Sequence, residues 1–126
     1  MNRLDFAHRT AKHTLEACDE SPDASEDALI FASKVLVDLV PFLDDGTKRR
    51  LTPAILKLIH RVPPARRPAN LAWTFKSVLD RDDPLRSVVK ELDATNRTAR
   101  REWFERLKRE RDATARQRES YLTRHA

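Results

Sequence analysis

Glycine is nearly missing from this chain: among 126 residues there is one, Gly46. Hairpin turns and phosphate-cradling loops use glycine wherever φ must be positive or a backbone must approach closely. Its scarcity therefore weighs against an all-β or dinucleotide-binding fold and leaves long helices with few tight turns. Cysteine is as scarce. Cys18 stands alone, so no intramolecular disulfide can form and nothing argues for an oxidising compartment; the thiol is expected to be a small buried side chain. No apolar run approaches the roughly 18 residues of a membrane span, and the start MNRLDFAHRT lacks the basic-then-apolar layout of a secretory signal. The expectation is a cytoplasmic protein with no membrane partner.

Acids are missing from one long stretch. Between Gly46 and Leu79 the chain holds Lys48, Arg49, Arg50, Lys57, Arg61, Arg66, Arg67 and Lys76 without a single Asp or Glu. Residues 1–45 carry 4 basic and 10 acidic side chains, whereas 46–126 carry 21 and 10. The net charge of +5 is thus the sum of an acidic first third and a strongly basic remainder. A basic block of this kind either docks on the protein's own acidic part or meets a polyanion.

What is present is helical periodicity. Apolar residues make up 40% of the chain, enough for one modest core. Leu4, Ala7, Ala11, Leu15 and Cys18 recur at three- and four-residue spacing, predicting a short amphipathic helix. Ser25 is placed to cap a second helix, with Glu26 and Asp27 at its positive end. That helix carries an apolar surface wider than one stripe, from Ala28 to Leu43, and is read as the central core helix. Pro41, Asp44, Asp45 and Gly46 should end it, with Gly46 in the left-handed cap position. Thr52-Pro53 reads as the start of a third helix faced by Ile55, Leu58, Ile59 and Val62. The prolines of Pro63-Pro64-Ala65-Arg66-Arg67-Pro68 make a stiff basic connector. Asn70 can cap a fourth helix bearing Leu71, Trp73, Phe75, Val78 and Leu79, and Asp83-Pro84 opens a fifth.

From Leu85 to Tyr121 there is neither Pro nor Gly. Unbroken, residues 84–123 would span about 60 Å, so the segment must bend near Asp93-Ala94-Thr95-Asn96, project as an arm, or meet a partner chain. Beyond Leu107 only Tyr121 and Leu122 are sizeable apolar residues, so a coiled-coil seam is not expected there. Glu102–Arg106, Glu105–Arg109 and Asp112–Arg116 are acid-first pairs at four-residue spacing that would support the helix.

Catalytic groups do not assemble. His8 and His13 lie about 140° apart on an ideal helix, and although Asp5 and His8 could share a metal, nothing nearby completes a site. His60 reads as a surface or capping residue near a helix end. No nucleophile with a base at helical spacing and no glycine-rich loop is present; no catalytic residue, metal or cofactor is expected.

Residues Arg67-Pro68-Ala69-Asn70-Leu71-Ala72-Trp73 through Leu79, preceded by a helix ending at Val62, resemble the proline-opened helix near the end of some plasmid and phage replication-initiator and helix-turn-helix proteins. The likeness covers about a dozen positions, carries no functional residue across, and implies association with DNA.

The reading is all-α: a compact bundle of about five helices with a long charged C-terminal helix. Residues 1–96 form the helical core and 97–126 an arginine-rich extension. The leading function is a non-catalytic module binding nucleic acid, DNA first, by phosphate contact. The contacts would be Lys48, Arg49, Arg50, Lys57, Arg61, Arg66, Arg67 and Lys76, with Arg97, Arg100, Arg101, Arg106 and Arg109 of the extension. The competing reading is a protein–protein adaptor or inhibitor. It would recognise an acidic partner through the same arginines, with Trp73, Phe75, Trp103 and Phe104 as apolar anchors. A homodimer through the C-terminal helix is a further partner expectation.

Overall fold

Asn2, Ser25 and Asp44 each have extended backbone and a side-chain oxygen that accepts an N–H three residues on, from Asp5, Ala28 and Thr47 at 2.8, 3.2 and 2.8 Å. These caps satisfy orphan donors and start α1 (Arg3–Asp19), α2 (Glu26–Leu39) and α3 (Asp45–Arg61) in the computed structural model, which describes residues 2–125. At Asp44 the Thr47 backbone N–H and hydroxyl both donate to the carboxylate, holding its pKa below the ordinary value. A 3₁₀ turn at Val40–Phe42 and another at Pro64–Arg66 bend the connectors, and α4 (Leu71–Lys76) and α5 (Leu85–His125) complete the chain. No strand occurs among the described residues.

Ala7, Ala11 and Leu15 of α1 face the wide buried surface of α2, formed by Leu29, Ile30, Ala32, Ser33, Leu36 and Val37. The small alanines let the two axes approach closely. Ile55, Leu56, Leu58 and Ile59 of α3 close the first layer, and Phe75 and Leu71 of α4 with Val89 and Leu92 of α5 close the second. Packing is strongest between α5 and the Pro64–Arg66 turn, with α4 and α3 also against it, so the proline-rich connector is a principal anchor of the long helix.

Several expectations need correction. Gly46 has no positive φ and sits in the first turn of α3, because Asp44 caps the following helix there. Thr52-Pro53 starts nothing. Pro53 lies inside α3, and the Thr52 hydroxyl bonds back to the Lys48 carbonyl. Asn70 makes no side-chain cap; its amide reaches Asp38 at 3.5 Å. Phe31 is 71% exposed and Leu39 half-buried, so α2, although packed on both α1 and α3 as a central helix, leaves part of its apolar surface open. No bend occurs at 93–96, since α5 is one helix of 41 residues, about 60 Å long. Thr95 turns its hydroxyl to the Glu91 and Leu92 carbonyls, and Asn96 is buried against the carbonyls of Arg67 and Pro68. Their side chains dock the helix rather than break it. Leu107 is the last side chain with any burial; from Lys108 to His125 every side chain is exposed.

Candidate nucleic-acid interface

An uncompensated cation on a surface needs either a partner or water, and here intramolecular partners are few. Among the described residues two ion pairs form, both within one helix: Lys48–Asp45 at 3.9 Å and Arg97–Asp93 at 3.0 Å. None of the three acid-first pairs of the extension closes, and Arg116 instead donates to the Asp112 carbonyl at 3.4 Å. Apart from Asp45–Lys48 within the first turn of α3, no ion pair joins the acidic first third to the basic block among the described residues.

The arginines divide by what they touch. Arg67 is 5% exposed. Its guanidinium donates to the Ile59 and Leu92 carbonyls and to the Thr95 hydroxyl, at 3.3, 3.4 and 2.7 Å. Burial lowers its pKa from the ordinary value. Ile59 lies in the last turn of α3, where free carbonyls and the helix dipole favour a cation. Arg67 is therefore an internal tie and not a phosphate contact, contrary to the sequence expectation. Arg61, half-buried, donates to the carbonyls of Cys18, Ser21 and Pro22 and fastens the α1–α2 loop. Arg100 donates to the Ala65 and Arg67 carbonyls and fixes the proline-rich connector on α5. Desolvation raises the pKa of nearby half-buried Cys18, so the thiol behaves as a packing group.

The remaining cations lie on two supports. Arg49, Arg50 and Lys57 are exposed on the outer face of α3. On α5, Lys90, Arg97, Arg101, Lys108 and Arg111 recur at three, four and seven residues, which puts them on one face of the helix, and all five are exposed. Phe104, 61% exposed, sits in the middle of this stripe with Trp103 edge-on at 5.0 Å. Lys76 joins its core end, where Lys76, Arg86, Lys90 and Asp93 rim a shallow groove between α4 and α5. Asp93 is the acid within the stripe, and Arg97 occupies it. From Lys90 to Arg111 the stripe spans about 32 Å.

Arg106 and Arg109 fall on the other side of α5, beside Glu102 and Glu105. That side also holds the connector bearing Arg66, whose Pro64 lines a shallow groove together with Thr95, Thr98 and Glu102. The expected arginine cluster thus splits into a stripe whose one acid, Asp93, is paired with Arg97 and a mixed-charge face. Lys90, Lys108 and Arg111 are not among the contacts expected from the sequence; the signal for them is their seven-residue spacing, Lys90 to Arg97 and Arg101 to Lys108 with Arg111 three beyond, which has meaning only if the helix is straight through residues 93–96. Trp73 is 74% exposed, whereas Phe75 is fully buried and is core rather than an anchor.

Among the described residues no three His, Cys, Asp or Glu side chains are placed to hold a metal ion, and no helix is long and apolar enough to cross a membrane. Comparison with protein families, characterised proteins and solved structures finds nothing that matches the chain.

Proposed function

We propose that this protein is a non-catalytic module that binds the phosphate backbone of a nucleic acid, duplex DNA first, along the basic face of α5. The observation that carries the reading is the stripe itself: Lys76, Lys90, Arg97, Arg101, Lys108 and Arg111, with one paired acid among them, on a helix that leaves the core. Its length of about 32 Å is close to the roughly 34 Å of one turn of duplex. Phosphate contact rather than base reading fits the chemistry. The stripe is of Lys and Arg on a helix flank, with no Asn or Gln beside them to pair bidentately with adenine.

Five or six phosphate contacts predict that log K falls against log salt with a slope of about −4.5 to −5.5 on duplex of any sequence. In Arg101→Glu/Lys108→Glu/Arg111→Glu the slope should be shallower by about 2.7, with affinity lowered equally for all sequences. Unchanged affinity in that variant, measured by anisotropy at two salt concentrations, sinks the reading. Trp73 supports a second one, an acidic protein partner gripping an exposed aromatic anchor. It predicts that Trp73→Ala weakens partner capture while duplex binding stays as it was.

A further inference from the structure

The outer half of α5 carries a second face, a quarter turn from the basic stripe. Trp103, Leu107, Glu110, Thr114, Arg118, Tyr121 and His125 recur at spacings of three and four, so they share one strip about 80° wide. The strip continues the line of Val89, Leu92 and Asn96, which the core covers, and runs on uncovered past Leu107. Aromatic pairs close it at both ends: Trp103 on Phe104, and Tyr121 stacked on His125 with ring centroids 4.1 Å apart.

The strip has the same layout read from either end. Thr114 is its midpoint, with Trp103 and His125 eleven residues away on either side, Leu107 and Tyr121 seven, and Glu110 and Arg118 four. Two such strips laid antiparallel about Thr114 set Trp103 against His125, Leu107 against Tyr121, and Glu110 against Arg118, each twice. Parallel strips would instead oppose Glu110 to Glu110 and Arg118 to Arg118. Among the described residues neither Glu110 nor Arg118 has an ion-pair partner within the chain. Charge complementarity therefore selects both the occupant and its direction, since like charges opposed on paired helices repel.

We propose that the α5 arms of two copies of this chain associate antiparallel, centred on Thr114. The seam is apolar at its ends and charged in between, unlike a coiled coil with an unbroken apolar a/d seam, so the pair is a concentration-dependent dimer rather than a permanent one. The basic stripe lies beside the seam and stays open on each arm. The pairing is independent of nucleic-acid binding.

Sedimentation equilibrium of the full chain without nucleic acid tests it. Wild type should dimerise as concentration rises, and Glu110→Arg, which opposes two arginines twice, should weaken association about tenfold or more. Glu110→Arg/Arg118→Glu should recover most of that loss, because the exchange restores both pairs. With Cys18→Ala removing the native thiol, Thr114→Cys should oxidise to a self-linked dimer, while Ala115→Cys, about 100° round the helix, should not. A wild type that stays monomeric throughout, a double variant no better than the single one, or equal cross-linking at 114 and 115 each overturns the proposal. Loss of duplex binding in a chain that still dimerises counts against the phosphate reading alone.

Discussion

Arg66 and Arg67 are neighbours in one connector, yet their substitution should have opposite consequences. Arg67→Met keeps most of the aliphatic stem and deletes the guanidinium, removing three hydrogen bonds. No acceptor is orphaned: the Thr95 hydroxyl still bonds the Glu91 and Leu92 carbonyls, and the Ile59 carbonyl still accepts from the Val62 N–H. The loss should then approach the net worth of hydrogen bonds to a charged group, about 1.5–3 kcal/mol, partly offset because a cation without a carboxylate partner no longer has to be desolvated. We expect about 1–3 kcal/mol, which in a chain of this size lowers the melting temperature by roughly 3–15 °C. Arg67→Glu should cost more, about 3–5 kcal/mol, since it sets a carboxylate among oxygen acceptors. Exposed Arg66→Glu should stay within about 0.5 kcal/mol of wild type. Urea melts followed by circular dichroism read all three. Wild-type stability in Arg67→Met, or unfolding in Arg66→Glu, would refute the assignment of internal and external arginines.

Leu36 is fully buried and Leu39 half-buried, so Leu36→Ala should cost about 2–5 kcal/mol and Leu39→Ala about 1 kcal/mol in denaturant melts; equal costs would show that α2 faces the core differently. The Asp44 carboxyl titrates below its unfolded value of 3.8, so its contribution as a charged cap is complete above that value and is lost as the pH falls through the folded pKa. Asp44→Asn should flatten the stability–pH curve in that acid range and nowhere else, as melts between neutral and acidic pH will read. Removing residues 108–126 takes away no side chain that is buried among the described residues, so at high dilution the melting temperature should barely move while helical ellipticity falls in proportion to the lost helix; unfolding would make the arm part of the core.

Local patterning made the helices legible, and it misled only where a residue type has more than one use. Ser25 caps α2 and Leu36 sits in the core, as their spacing predicts, because both properties depend on a few neighbouring residues. Pro53 and Gly46 carry strong local meanings that the surrounding structure overrides: Asp44 caps about two turns before Thr52, so α3 has already propagated two turns when it meets the proline. The straightness of α5 was not legible either. Thr95 and Asn96 compete for backbone hydrogen bonds in isolation, but a buried Arg67 and the connector carbonyls give their side chains partners across the fold, and that contact is invisible from position 93 alone.

The same reasoning explains why an acid-free block overstates the number of free cations. Charge counting detects compensation only by carboxylates, whereas a guanidinium brings five N–H donors that bare carbonyls satisfy equally well. A glycine-poor chain with proline-rich connectors has many such carbonyls, at helix ends and in turns where no N–H lies within reach. Arg61 meets them in the α1–α2 loop, Arg67 at the end of α3, Arg86 at Lys76 and Leu79, and Arg100 along the 65–67 connector. Each removes a cation from the surface without leaving an acid in the sequence to mark it. Cations that point away from every connector keep clear of these carbonyls, and on α5 they include Lys90, Arg101, Lys108 and Arg111, with Arg97 held by Asp93. The face available to a polyanion is therefore set by where the backbone lacks donors, and the position of the stripe follows from the path of the connectors rather than from the density of arginine.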